Sequence, residues 1–488
     1  MAHSAAAQRK LAQRKLAQRL APRKTASRQE ELGRLVTAAK AKPFWLDRPD
    51  APEAREPVHG DRACDLAVIG GGFTGLWTAL LAKEANPGRS VLVIEGNRVG
   101  WAASGRNGGF CDASLTHGAA NGRERFPAEF TTLQRLGMEN LNAIETALGR
   151  HGIDCGFERT GSIEVATEDH QVDELRETAE TDRGVFLDAG AMRAEVNSPT
   201  YLAGRWDKDG ATLVNPARLA WGLAAACERI GVRIAERTPA TGLADDADGV
   251  TVRTSDGVVR AKKVALGTNA FPSLVRRLRP YIVPVYDYVL VTEPLTAAQL
   301  AEIGWRNRQG IGDVGNQFHY YRLTEDNRIL WGGYDAIYHF GHHVRMAYDQ
   351  RPATFVKLAD HFFTTFPQLE GIGFSHRWGG AIDTCSRFCA FFGTAHHGRV
   401  AYALGYTGLG VGASRFGARV MLDLLTGERT ELTELELVRS KPIPFPPEPF
   451  AYLGVQATRW SLAQADRQSG RRNLWLRALD AAGLGYDS

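Results

Sequence analysis

The sequence has no CxxC pair, no uncharged run long enough to cross a membrane, and little excess charge. Its six cysteines, Cys64, Cys111, Cys155, Cys227, Cys385 and Cys389, are scattered through 488 residues. That spacing excludes a disulfide framework and a cysteine zinc site, and it fits a reducing compartment, so a cytoplasmic location is expected. The longest uncharged stretches include Leu66 to Ala82 and Val400 to Ser414, both interrupted by glycines. Neither is long enough for a transmembrane helix, and no stable membrane insertion is expected. The net charge is +4, but residues 1–40 carry ten Lys or Arg against two Glu, which leaves the rest of the chain at −4. A slightly acidic body gives no electrostatic reason to expect nucleic acid as a partner. With 44% hydrophobic and 23% charged residues, wholesale disorder and fibrous repeats are excluded as well.

What is present begins with a repeat, Gln8-Arg-Lys-Leu-Ala, Gln13-Arg-Lys-Leu-Ala and Gln18-Arg-Leu-Ala. It reads as a solvated, poorly ordered extension; a transit-peptide-like or anionic-surface-binding segment is the competing reading. Pro43, Pro49, Pro52 and Pro57 then mark a linker, and the folded body is expected to start near Gly60. On this reading residues 1–40 can be deleted without loss of function. A strand over Leu66 to Ile69, a glycine turn, a helix from Leu76 to Lys83 and a strand from Ser90 to Ile94 form a βαβ unit. A helix from Asn215 to Ile230 and strands at 232–234, 249–254 and 263–266 follow the same style. Phe157 to Thr167 and Ile282 to Thr292 look like strands of a different sheet. A strand at Arg399 to Leu404 leads through Gly405 to Gly412 into a last helix ending near Leu425.

Gly70-Gly-Gly-Phe-Thr-Gly75 fits GxGxxG after a strand and at a helix start, and Glu95 closes the next strand. Gly70 permits the tight turn, Gly72 lets the backbone approach a pyrophosphate, Gly75 lets the helix pack on the strand, and Glu95 accepts ribose hydroxyls. Phe73 and Thr74 fill the turn. The fingerprint alone does not separate FAD from NAD. The loop Arg98 to Gly109 is rich in small residues, where bulk would obstruct a large planar ring. Gly405-Tyr-Thr-Gly-Leu-Gly410 supplies a second glycine turn at a helix start, able to stabilise negative charge on a reduced isoalloxazine.

On these motifs, with Leu266-Gly-Thr-Asn-Ala270, the chain resembles the FAD-dependent amine and amino-acid oxidase superfamily that includes sarcosine, D-amino-acid and glycine oxidases, in particular its gamma-glutamylputrescine-oxidase-like branch. The motifs span about residues 60 to 440. The resemblance implies an α/β fold with a Rossmann-like FAD-binding domain built from discontinuous segments, 60–150, 205–280 and 375–440. An α+β substrate domain with an antiparallel sheet is expected from 151–204 and 281–374, flanked by an extension and linker over 1–59 and a tail with a helix over 441–488. It implies non-covalent FAD held by Gly70, Gly72, Phe73, Thr74, Gly75, Glu95, Arg98, Ser104, Arg106, Asn107, Gly108, Gly109, Ala240, Gly267, Thr268, Asn269, Gly408, Leu409 and Gly410. The segment Glu236 to Ala240 is implied at the adenine end, and a flavin–Cys385 linkage is the alternative to non-covalent binding. The implied reaction oxidises a neutral amine to an imine, which hydrolyses to a carbonyl compound, with O2 reduced to H2O2. Electron transfer to a quinone or carrier protein, and a binding module with structural flavin, are the alternatives.

The sequence departs from sarcosine-type relatives where those hold a substrate carboxylate. After the loop no Arg occurs until Arg123, Gly412 stands two beyond Gly410, and Leu409 replaces a common His. The strand Ile329 to Tyr334 lacks the Lys that activates oxygen in some relatives. A small-molecule amine is therefore the expected substrate, and Tyr320 is its first cavity residue by register, with Tyr334 and Asp335 next. Asp287 reads as a solvated strand charge, with binding of a distal ammonium as the alternative. His339, His342 and His343 lack supporting ligands, and no metal is expected. No oligomeric state is legible.

Overall fold

The structure, a computed structural model, describes residues 26–485. Two large sheets organise it. In the first, five strands lie parallel in the order Val400–Leu404, Gly257–Leu266, Arg62–Ile69, Val91–Ile94 and Arg233–Ala235. Every residue of Val91–Ile94 and Val400–Leu404 is buried, as a parallel sheet covered on both faces requires. Register decides where a ligand can sit. Ile69 pairs with both Ile94 and Leu266, and Leu266 pairs with Tyr402. These strands therefore end together, and Gly70, Glu95 and Gly267 emerge side by side into one crevice outside their carboxyl ends.

The second sheet has nine strands. Its centre is Val283–Thr292, paired antiparallel with Phe374–Thr384, Ile329–Gly333 and Ile337–Tyr338. The antiparallel set continues through His319–Leu323 to Gly310–Asp313, which pairs in parallel with Ser162–Ala166. This is the antiparallel-rich second sheet expected from the sequence, with two shifts of boundary. Ala203–Asp207 and Phe374–Thr384 belong to the second sheet rather than to the dinucleotide-type segments, because the hydrogen-bond ladders continue through them. Between the sheets runs a two-stranded ribbon, Phe110–Asp112 with Ala211–Leu213.

From residue 26 onward the structure overturns the reading of a solvated extension and linker up to residue 59. The repeat at 8–21 lies outside the described residues, but helix α1, Ala26–Ala38, is docked. Leu32 and Val36 are each 1% exposed in the core of the second sheet, together with Phe355 and Phe362, and Arg28 pairs with Asp360 and Glu370. The hydrophobic spacing Leu32, Leu35, Val36 carried this signal, and the charged, repetitive residues before it masked it. Leu32→Ala is expected to destabilise the protein by about 2 to 5 kcal/mol, the range for emptying a buried leucine site. Chemical denaturation measures it; a loss below about 0.5 kcal/mol would return α1 to the status of a tail.

Four further helices frame the crevice. Helix α2, Phe73–Ala85, follows the first glycine turn. Helix α3, Gly410–Thr426, follows the second. Helices α4, Phe450–Arg467, and α5, Leu474–Ala481, make the C-terminal segment a helical pair, where one helix was expected.

Candidate active site

A cavity of about 1710 Å³ lies between the sheets. That exceeds the few hundred to a thousand cubic ångströms usual for one small ligand, and leaves room for a dinucleotide and a substrate together. Its floor is the crevice at the strand ends. Gly70 has φ +111, and a β-carbon there would meet the Gly267 carbonyl at 2.4 Å. At Gly75 the β-carbon would fall 1.9 Å from the Gly70 carbonyl, so this glycine seats α2 on its strand. Gly72 has an ordinary φ of −88 and precedes α2, whose first-turn N–H groups form an anion-binding end.

Of the expected cofactor residues, Gly70, Gly72, Phe73, Thr74, Glu95, Ser104, Arg106, Asn107, Gly108, Ala240, Gly267, Thr268, Asn269, Gly408, Leu409 and Gly410 all line this cavity. Gly75, Arg98 and Gly109 do not. Arg98 pairs with Glu236 and donates to the Pro52 carbonyl, so it binds the N-terminal segment to the body. Glu236 is engaged likewise, accepting from Arg55 N and Val99 N at 2.8 and 2.7 Å; of the expected adenine-side segment, Pro239 and Ala240 reach the cavity. Gly109 has φ +79, and a β-carbon there would lie 2.2 Å from the Val214 carbonyl.

Glu95 is buried and accepts from Gly71 N at 2.6 Å and Asn97 N at 2.8 Å. Burial pushes its carboxyl above the ordinary range against those two bonds. The loop Ser104 to Gly109 is pinned by residues far away in sequence. Trp45 Nε1 donates to Asn107 O at 2.9 Å, Trp378 Nε1 to Arg106 O at 2.8 Å, and Arg322 to Gly109 O at 3.4 Å. Sequence reasoning missed both tryptophans, since a lone indole carries no local signal of its partner. It also missed Asp383, whose Oδ2 accepts from Gly405 N at 2.7 Å and Tyr406 N at 3.2 Å and so shapes the second glycine turn. Burial pushes Asp383 up to about 7.

FAD fits this cradle on two observations. Gly70, Gly72 and Gly108 line the cavity with bare backbone, and Thr268 Oγ1, in the cavity wall, is buried without a hydrogen-bond partner. Cys385 is buried, its thiol directed to the Cys389 and Gly405 carbonyls at 3.2 and 3.5 Å. The cavity lining passes through Thr384 and Ser386 without it.

The second sheet forms the roof. Tyr320, Tyr334 and Asp335 all line the cavity, but their surroundings differ. The Tyr320 ring lies between Gly108 and Gly332, where a β-carbon on either glycine would come within 2.6 Å of it. Its hydroxyl donates to Asp287 Oδ2 at 2.5 Å. Asp287 is thus a half-buried wall residue rather than the solvated strand charge expected, because its strand lies inside the sheet with Phe374–Thr384 beside it. Burial pushes its carboxyl up to about 6, against the bonds from Tyr320 and the Tyr288 N–H. Asp335 is already occupied: Lys357 Nζ and Thr354 Oγ1 each donate to it at 2.7 Å. Against the upward pull of burial, those bonds hold its carboxyl below the usual range. Tyr334 stacks on His319 at 5.2 Å, and His319 Nδ1 lies 2.6 Å from Asp313.

Asp112, on the ribbon after the loop, also lines the cavity. Burial, with Asp207 and Glu164 adding like charge, pushes it up to about 7. A raised carboxyl lends stability that is complete below the ordinary aspartate range and is lost as pH rises through about 7. Asp112→Asn is therefore expected to raise the melting temperature at about pH 8 and to lose that advantage toward about pH 4. Equal gains at both ends would show that the carboxyl is not held neutral.

Residues 65–424 match the family described as FAD dependent oxidoreductase (DAO). The chain is 33% identical to gamma-glutamylputrescine oxidoreductase of Escherichia coli K12 over 387 residues, 75% of this chain and 84% of that protein. It is 28% identical to a probable oxidoreductase OrdL of Haemophilus influenzae, covering 80% and 90% of the two chains. Among solved structures, glycine oxidase from Geobacillus kaustophilus superposes with a TM-score of 0.64 at 18% identity, covering 78% of this chain and 99% of that one.

Proposed function

Because the chain belongs to the FAD dependent oxidoreductase (DAO) family, we propose that it oxidises a primary or secondary amine to an imine, which water hydrolyses to a carbonyl compound, with O2 reduced to H2O2. Asp287 carries this reading. It is a cavity carboxylate that, among the described residues, takes its side-chain hydrogen bond from the Tyr320 hydroxyl, and above about pH 6 it presents a negative charge suited to a distal ammonium. Three arginines on or near the flavin loop and the roof that would suit an α-carboxylate are engaged elsewhere. Arg106 pairs with Asp349 at 2.5 Å, Arg123 pairs with Asp182, and Arg322 donates to Val214 O at 2.8 Å. The similarity to gamma-glutamylputrescine oxidoreductase supports the same substrate class.

FAD, held by the glycine turns at 70–75 and 405–410 with the 104–108 loop, would supply the electron sink for oxidation at the carbon that bears the nitrogen. The protein's part is to orient and desolvate. Tyr320, clamped between two glycines and hydrogen-bonded to Asp287, fixes the roof over the loop. Phe110 meets its ring edge-on at 5.9 Å and Trp378 closes the wall, so the reacting nitrogen sits among apolar groups that favour its neutral form. The test is anaerobic reduction by putrescine-like amines, gamma-glutamylated amines, sarcosine and D-alanine in parallel, followed by readmission of oxygen. Fastest bleaching by a diamine-type substrate with peroxide formed on reoxidation is expected. Fastest bleaching by sarcosine or D-alanine would sink the reading of an amine with a distal cationic group in favour of a small amino acid, and reoxidation that requires a quinone or carrier protein would assign a dehydrogenase.

A further inference from the structure

The C-terminal helical pair leaves five of its large apolar side chains on the outside. Helix α4 buries only Ala451, Ser461 and Ala465 among its 18 residues, while Phe450, Leu453 and Trp460 are 64%, 59% and 62% exposed. Helix α5 exposes Leu474 at 82% and Trp475 at 41%. Single exposed apolar residues are ordinary, but clusters are not. Among the described residues, six of the nine large exposed apolar side chains fall between Ile443 and Trp475, so the feature belongs to this segment.

The pattern has a direction. Leu453, Trp460 and Arg467 are spaced by seven, two helical turns, and form one stripe along α4. Arg467, Arg471 and Arg477 are exposed beside the apolar groups. Residues 450–480 hold five arginines and two aspartates, in a chain that sums to −4 beyond residue 40. Both aspartates are engaged, Asp466 by Asn316 at 2.7 Å and Asp480 by Arg472 at 2.6 Å. Trp460 and Leu474 are absent from the cavity wall that other residues of this pair help form, so closure of the pair onto the cavity would not cover them. A two-fold dimer through this face would set its arginines against their own copies.

We infer that α4 and α5 are a docking surface for an anionic lipid bilayer, on which the protein lies without spanning it. Trp, Phe and Leu enter the boundary between headgroups and acyl chains while the flanking arginines meet the phosphates. The first 25 residues add seven basic side chains and no acid, a second electrostatic attraction of the kind stable surface binding needs. Phe450, Leu453 and Trp475 also line the cavity, so docking brings one side of the cavity to the lipid surface.

The test is co-sedimentation of the full-length holoenzyme with vesicles of phosphatidylcholine alone and of phosphatidylcholine with phosphatidylglycerol. At least about tenfold stronger binding to the anionic vesicles is expected, declining with salt. Trp460→Ser with Leu474→Ser should reduce it about tenfold while FAD content, melting temperature and turnover in solution are kept, since both side chains are already in water. Arg467→Glu with Arg477→Glu should abolish the preference for anionic vesicles. No sedimentation of the unaltered protein would overturn the inference. So would unchanged binding by the Trp460 and Leu474 variant, which would assign the attraction to the basic N-terminus. A dimer lost in that variant, without vesicle binding, would make this face a contact between copies.

Discussion

Gly72→Val is expected to give a folded, colourless protein. The backbone at Gly72 has an ordinary φ of −88, and an added β-carbon would meet only the Ser104 hydroxyl, at 2.8 Å. That hydroxyl is the end of a short side chain, and turning it away gives up its hydrogen bond from Phe73 N at 3.0 Å, a loss of about 1 kcal/mol that the fold tolerates. The cofactor cannot, because the isopropyl group would occupy the space where backbone and pyrophosphate must approach. An overpacking cost of about 3 kcal/mol corresponds to roughly a hundredfold loss of FAD affinity. Absorbance of the purified protein and titration of the apoprotein with FAD measure it. Gly75→Ala is the informative contrast: its β-carbon would lie 1.9 Å from a backbone carbonyl, so stability should fall together with cofactor content. A yellow Gly72→Val protein with unchanged affinity would mean that the fingerprint does not carry the pyrophosphate.

The second large effect is expected at Asp287. Asp287→Asn keeps the shape of the wall and the Tyr320 hydrogen bond but removes the charge. For an amine with a distal ammonium, the loss of a charge-assisted contact of about 2 to 3 kcal/mol should lower kcat/KM about thirty- to a hundredfold. Simple monoamines, which make no such contact, should be affected within about threefold, so the two substrates separate a specificity role from a structural one. The charge preference should also fade in the unaltered protein as pH falls through about 6, where Asp287 takes up its proton. Equal losses for both substrates would assign Asp287 to support of Tyr320 instead.

Sequence reasoning reached the elements whose meaning is local. Gly70 to Gly75, Glu95 and Gly405 to Gly410 announce themselves because strand, turn and helix occur within a few residues, and all three segments meet at the cavity. The boundaries of the second sheet were less legible, since Ala203–Asp207 and Phe374–Thr384 take their place from ladders to strands far away. Asp287 and Asp335 show the limit most clearly. Both are acids on or beside strands of the same sheet, and only the position of Lys357 decides that Asp335 is neutralised while Asp287 is left facing the cavity. Helix α1 was hidden for a different reason: its apolar spacing is correct, but it follows a basic repeat whose composition dominates the reading.

The pinning of the Ser104 to Gly109 loop has a consequence for the order in which the protein matures. The loop is made early in synthesis, yet one of its indole clamps, Trp378, and the strand Val400–Leu404 that flanks the crevice arrive only after most of the chain has been made. A nascent chain halted before residue 378 would have the glycine turn and Glu95 but neither the later clamp nor the second helix terminus. Because such long-range closures form late, firm capture of the cofactor belongs to the end of folding. A shortened chain ending near residue 370 would then turn over in the cell as an unliganded intermediate, exposed to proteolysis for as long as it waits.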